Sequence, residues 1–167
     1  MLPNRKDRLW NSATFKKYNN CYSYSIDEPD ANLRRKRRPG RKSNDPGTRR
    51  KVKTCALYER LLRDDHPTLH KVSSPRCPCR PYPQRLIAMA VAGTSTPNDT
   101  SDDDFHFYRR DGNTPYWSHK PGSESVRHVD ASGRNILDPQ TANRNYRPND
   151  GKNYTDFCGY YCMHTSP

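Results

Sequence analysis

Three residues have the types and spacing for nucleophilic chemistry. Cys21 follows Asn19-Asn20, His106 lies in the run Phe105-His106-Phe107-Tyr108, and His119 follows Trp117-Ser118. An Asn just before Cys21 caps a short helix, which puts the thiol at a helix N-terminus. That position lowers a thiol's pKa and favours the thiolate, the attacking form. His106 would take the thiol proton and His119 would orient His106, a triad able to cut peptide, amide or acyl bonds. Asp130, in His128-Val129-Asp130-Ala131, is an alternative orienting group, because a carboxylate holds an imidazole as well as a second ring does. His119 is preferred for its spacing from His106. The structural alternative is a buried or disulfide-bonded Cys21 with two histidines that serve only packing.

The other cysteines bear on that choice. The chain has six, Cys21, Cys55, Cys77, Cys79, Cys158 and Cys162, and six allow fifteen pairings. If Cys21 is a nucleophile, one of the remaining five is left unpaired. Cys77-Pro78-Cys79 is poorly suited to pairing within itself. Disulfides from this Pro-Cys segment to the C-terminal tail fit an oxidising exterior. A four-thiolate zinc site from Cys77, Cys79, Cys158 and Cys162 is the competitor, with His66 and His70 as a second metal pair. Neither spacing matches a common zinc ribbon, so neither metal nor cofactor is expected.

The elements that must position these groups are readable in outline. Leu57, Tyr58, Leu61 and Leu62 make one apolar stripe, a helix over 55–64, ended by His66-Pro67. Leu86 to Ala92 is a continuous apolar run, the signature of a buried central strand. In 105–110, Phe105 and Phe107 face one way and His106 and Tyr108 the other. Asp111-Gly112 turns that strand back into 116–120. The expected fold is α+β: a small antiparallel sheet from 86–92, 105–110 and 116–120 packed on the Cys-bearing helix. Residues 1–20 read as an N-terminal arm and 21–167 as a single domain. An inserted basic loop occupies 34–53, and the tail 157–167 is apolar enough to pack back.

The order of these parts resembles the papain-like thiol hydrolases of the cell-wall amidopeptidase (NlpC-type) superfamily. Asn20-Cys21-Tyr22, Phe105-His106-Phe107-Tyr108 and Trp117-Ser118-His119-Lys120 stand where that family has its Cys, first His and second polar residue. The resemblance implies a papain-like scaffold over about residues 18–130. The basic loop and the Pro-Cys segment are insertions into it, and Tyr22 and Tyr24 are bulky neighbours for a nucleophile.

Charge sets the rest. The net charge is +12, only 31% of the 167 residues are hydrophobic, and 15 are proline. Residues 34–53 carry +10 of the total, through Arg34, Arg35, Lys36, Arg37, Arg38, Arg41, Lys42, Arg49, Arg50, Lys51 and Lys53 against Asp45. Charges this dense repel one another and call for acidic partners: carboxylates of neighbouring protein subunits, nucleic acid or anionic lipid. A thin core with a concentrated charge points to a structural or assembly part of a large particle, read as a virion minor capsid or interior protein. No run reaches the roughly 20 apolar residues of a membrane span. The first residues lack the apolar stretch of a signal peptide, so a virion, cytoplasmic or nuclear location without secretion is expected.

Overall fold

A computed structural model describes residues 5–31, 36–42, 54–76, 79, 84–93, 104–112, 114–149 and 152–164. It is an α+β fold. Helices α1 (Arg5–Asn11), α2 (Ala13–Tyr18), α3 (Cys21–Ile26) and α4 (Cys55–Asp65) precede a five-stranded antiparallel sheet. The strands are β1 (His70–Val72), β2 (Gln84–Ala92), β3 (Asp104–Arg110), β4 (Trp117–His119) and β5 (Asp156–His164), in the order β1-β5-β2-β3-β4.

Local chemistry explains the elements. The Asn20 side chain accepts from the Ser23 N–H at 3.2 Å and starts α3, satisfying one of the orphan donors of a first turn. Thr54 does the same for α4 through the Leu57 N–H at 3.1 Å. In β2 every residue from Leu86 to Ala92 is buried, because the strand has a layer on both faces. Ile87, Met89 and Val91 point with Phe105, Phe107 and Tyr161 toward Tyr22, Leu61 and Leu62 of α3 and α4. Leu86 and Ala88 point the other way, with Tyr108, Trp117, Ile136 and Tyr160.

The sheet extends the one expected from sequence. Residues 86–92, 105–110 and 117–119 pair as read, but the tail is a strand between β1 and β2, not merely a packed end. Its alternation was hidden by a register shift between Met89 and Ala90, opposite Gly159. Gly159 has φ +135°, a backbone conformation that favours glycine. Residues 5–20, read as an arm, form α1 and α2 and join the body. Trp10 is fully buried, edge-on to Tyr24 with ring centroids 5.3 Å apart.

Two disulfides converge on β5. Cys55 at the start of α4 bonds Cys158, and Cys79 of the Pro-Cys segment bonds Cys162. The second is the expected link between that segment and the tail. Cys77 lies outside the described residues. The far face of the sheet is covered by the connection after β4, residues 120–149 and 152–155, whose regular structure among the described residues is single bridges such as Trp117 with Ile136 and Val129 with Asn135, and a 3-10 turn at Arg147–Asn149.

Candidate functional site

Cys21, His106 and His119 are all buried. The two imidazoles meet, with His106 Nε2 2.7 Å from His119 Nδ1. Tertiary structure sets their protons. His119 Nε2 lies 3.1 Å from the carbonyl oxygen of Val129, and a carbonyl accepts only, so Nε2 carries the hydrogen. Burial holds His119 down at about 4 and His106 well below 6.5, so both rings are neutral at pH 7. A neutral His119 protonated at Nε2 leaves Nδ1 bare. His106 must then donate through Nε2, which leaves its Nδ1 as the free base nitrogen.

The thiol sits at the edge of β3. Trp117 and His119 use their main-chain groups on Ile136 and Arg127, so Ser118 is the residue of β4 that bonds β3, opposite Arg109. By alternation, Phe105 and Phe107 also aim their main chain to that side, beyond the point where β4 ends. There Cys21 Sγ donates to the Phe105 carbonyl at 3.8 Å. Cys21 thus lies one residue along the strand from His106. The helix start does not produce a thiolate. Burial first, and then the Asp104 carboxylate, push the thiol up to about 12. Cys21 packs with Tyr22, Phe105 and Phe107 toward the helices, whereas His106 and His119 meet on the other face of the sheet with Tyr108; no sulfur–imidazole hydrogen bond joins them among the described residues.

Asp130, the alternative orienting group, serves a turn instead. It accepts from the N–H groups of Ser132, Arg134 and Asn143 at 2.8–3.1 Å. Lys120, which sequence reasoning passed over, is buried beside this site. Its ammonium donates to the carbonyls of Lys16, Asn19 and Gly122 at 2.7–2.9 Å. Desolvation, then Lys36, lowers it to about 8. The dipeptide His119-Lys120, next to a turn glycine, was the signal available.

The basic run is tied down at its centre. Asp65, buried at the end of α4, accepts from the Gly40 N–H at 2.9 Å, the Lys42 N–H at 2.8 Å and the Tyr22 hydroxyl at 2.7 Å. The Lys42 ammonium donates to the Asp65 carbonyl at 2.9 Å. Arg37 pairs with Glu28 and Asp30, and Arg41 lies 3.8 Å from Glu28. Arg37 and Arg41 thus meet carboxylates of this chain, and the Lys42 ammonium meets a main-chain carbonyl. Lys36 and Arg38 are exposed, and the Lys36 ammonium bonds Ser123 Oγ at 2.6 Å. Arg34, Arg35, Arg49, Arg50, Lys51 and Lys53 lie outside the described residues. Among the described residues no group of three or more His, Cys, Asp or Glu is arranged to hold a metal. No helix there is long and apolar enough to cross a membrane.

The chain is 33% identical over 152 residues to insoluble matrix shell protein 1 of Ruditapes philippinarum, covering 90% of this chain and 83% of the relative. No protein-family model matches, and no solved structure matches. The relative overturns the virion reading. A protein named for the matrix of a shell is not a viral capsid or interior component. The expected virion, cytoplasmic or nuclear location without secretion falls with it, since a shell matrix lies outside cells. The two disulfides agree with that correction, because such bonds persist in oxidising compartments.

Proposed function

The chain belongs to the family of insoluble matrix shell protein 1, and from that premise we propose that it is a structural protein of an insoluble extracellular matrix. The observation that carries this reading is the 33% identity spread over 90% of the chain. The disulfides support it. A chain with 31% hydrophobic residues builds a thin core, and thin cores need staples. One staple enters β5 from each side of the sheet.

Assembly with other proteins follows from a matrix role. Lys17 and Lys36 are exposed around the 121–123 turn, with Lys16 beside them. Among the described residues none of the three has a carboxylate at salt-bridge distance, in contrast to Arg63 and Arg60 on α4, which pair with Glu59 and Asp64. This surface suits an acidic polypeptide. The test of the matrix role is fractionation. An antibody against the chain should detect it in extracellular matrix that resists salt and detergent extraction. Recovery from cytosol or nuclei instead would refute the role.

A second reading concerns the scaffold: a papain-like, NlpC-type thiol-hydrolase architecture held in an inactive state. The specific observation favouring it is the proton order from Val129 through His119 to His106, which leaves a base nitrogen on His106. Cys21 opens α3 and touches the same strand. Burial leaves no thiolate, so the structural role ranks first. Purified protein should turn over neither peptide nor acyl-ester substrates. Turnover that Cys21→Ser abolishes would make the chain an enzyme.

A further inference from the structure

The covering layer of the far face carries a short motif on its outer side. Asn153-Tyr154-Thr155 is an Asn, a residue other than Pro, and a Thr, the acceptor triplet for N-linked glycosylation in secreted proteins. A triplet this short also arises by chance, so its surroundings must decide.

The main chain fixes which way the triplet's side chains face. The Tyr146 N–H donates to the Lys152 carbonyl at 3.0 Å and the Tyr154 N–H to the Arg144 carbonyl at 3.1 Å. These bonds flank an antiparallel bridge between Asn145 and Asn153, and successive side chains on such a pair alternate between its two sides. The tyrosines take the inner side. Tyr154 stacks on His106 with centroids 4.8 Å apart and its hydroxyl donates to Asp104 at 3.0 Å, and Tyr146 lies 5.6 Å from His119. That leaves the outer side to the two asparagines. Asn145 is exposed, Asn153 is partly exposed, and Thr155, just before β5, is exposed.

The two outward asparagines are not equivalent. The Asn145 side-chain oxygen accepts from the Arg147 N–H at 3.3 Å, and Arg147 stands where an acceptor triplet needs Ser or Thr. The Asn153 side-chain amide has no hydrogen-bond partner among the described residues, so a group attached at Nδ2 breaks no bond of the fold. The triplet is shaped by its main chain, where the Thr155 N–H donates to the Asn153 carbonyl at 3.1 Å. Cys158, in the strand that follows, is bonded to Cys55, and Cys162 to Cys79. Such bonds form in the oxidising lumen of the secretory pathway, where oligosaccharide is transferred to Asn.

We infer that Asn153 is the attachment site of an N-linked glycan, with Thr155 as the hydroxyl residue of its acceptor triplet. The inference rests on the extracellular-matrix reading, which takes the chain through that lumen. The donor is an oligosaccharide joined to a lipid through pyrophosphate. A bond forms between Asn153 Nδ2 and the anomeric carbon of the first sugar, and the bond from that carbon to the pyrophosphate oxygen breaks. Nδ2 loses one proton, and the lipid pyrophosphate leaves with the electron pair. Tyr154 is buried in the folded chain, so transfer precedes the seating of this segment, and the finished fold carries the bulky polar sugar outward.

Peptide-N-glycosidase digestion in heavy-oxygen water, read by mass spectrometry, tests the assignment, because release of a glycan converts its Asn to isotope-labelled Asp. Protein taken from extracellular matrix should carry the label at position 153. Matrix protein with an unlabelled Asn153 overturns the glycan and leaves the matrix role standing, whereas recovery of the chain from cytosol or nuclei removes both. The triplet is tested by variants sent through a eukaryotic secretory pathway behind an added leader. They share an Asn98→Gln background, since Asn98-Asp99-Thr100 fits the same pattern and lies outside the described residues. Thr155→Ala should lose the label and the glycosidase-sensitive mass completely, and Thr155→Ser should keep both. Label retained in Thr155→Ala, or lost in Thr155→Ser, overturns the assignment. Should a variant misfold and stay in the cell, the retained protein gives the same reading, because transfer comes before folding.

Discussion

The two faces of the sheet are held by different physics. On the helical face, Ile87, Met89, Val91, Phe105 and Phe107 pack against Tyr22, Leu61 and Leu62, and the Cys55–Cys158 bridge pins α4 to β5. On the other face an irregular chain covers Trp117, Tyr160 and the paired histidines, held by turns and side-chain hydrogen bonds. Area removed from water stabilises the first, at about 25 cal/mol per Å² of apolar surface. The second depends on polar groups finding partners, so its stability depends on protonation. The helical face is therefore insensitive to pH, whereas the other face, which also buries Trp117 and Ile136, adds a dependence on protonation.

Truncating the helical face gives the largest effect. Phe107 is fully buried, with its ring 5.3 Å from Tyr22 and 5.7 Å from Phe105. Phe107→Ala should cost about 3–5 kcal/mol, read from urea unfolding at pH 7.5, and the loss should be the same at pH 5. A loss that varies strongly between those pH values would break the division between the faces. Deleting the staple on the other side, as Cys79→Ala/Cys162→Ala, should cost roughly 2–4 kcal/mol through the looser unfolded chain. Unfolding with intact and reduced disulfides would separate that term.

Acid gives the next effect, on the opposite face. His106 and His119 are buried neutral, so their folded pKa values lie below the ordinary 6.5, at about 4 for His119. A depressed histidine leaves stability complete above 6.5. Below that the unfolded chain gains a proton that the folded chain refuses, and stability is lost as pH falls toward about 4. For His119 the loss is on the order of 3 kcal/mol. His119→Gln should flatten this acid limb in urea midpoints taken between pH 7 and 4. A wild-type midpoint constant over that range would show the pair to be solvated.

The same contrast governs what the sequence revealed. Helix α4 and strand β2 were legible because burial imposes a period or a continuous apolar run. The Asn20 cap was legible because one side chain makes it. The pairing of His106 with His119 followed from strand alternation and the turn signal Asp111-Gly112 between the two strands. The connection after β4 was not legible as a cover, because its contacts use turn residues such as Asp130 and a single Arg144, with no period to detect. β5 was missed as a strand where Gly159 shifts its register. The tethering of Arg37 and Arg41 to Glu28 and Asp30, and of Lys42 to the end of α4, was missed because irregular segments bring these groups together and carry no period. A dense basic run read alone has only its net charge to show.

The smallest effect runs in the alkaline direction and comes from His128 at the rim of the irregular face. Its Nε2 lies 3.0 Å from Asp7 of α1 and its Nδ1 3.1 Å from Asp111 of the turn after β3. Both partners are carboxylates that only accept, so both ring nitrogens must donate and the ring is a cation. Those two hydrogen bonds, Asp111 first, raise it to about 9. The clamp fixes α1, where Asp7 is buried and Trp10 packs on Tyr24. A raised histidine contributes fully below its ordinary 6.5, and the contribution is lost as pH rises through about 9. With the ring nearly half exposed, solvent screening holds the gain to about 1 kcal/mol. Urea midpoints should therefore fall slightly between pH 7 and 10, with an emission change from Trp10 as α1 loosens. His128→Gln should lower the midpoint at pH 7 and abolish that fall. If the variant keeps the same alkaline slope, the loss belongs to other groups, and the polar face is not clamped by this cation.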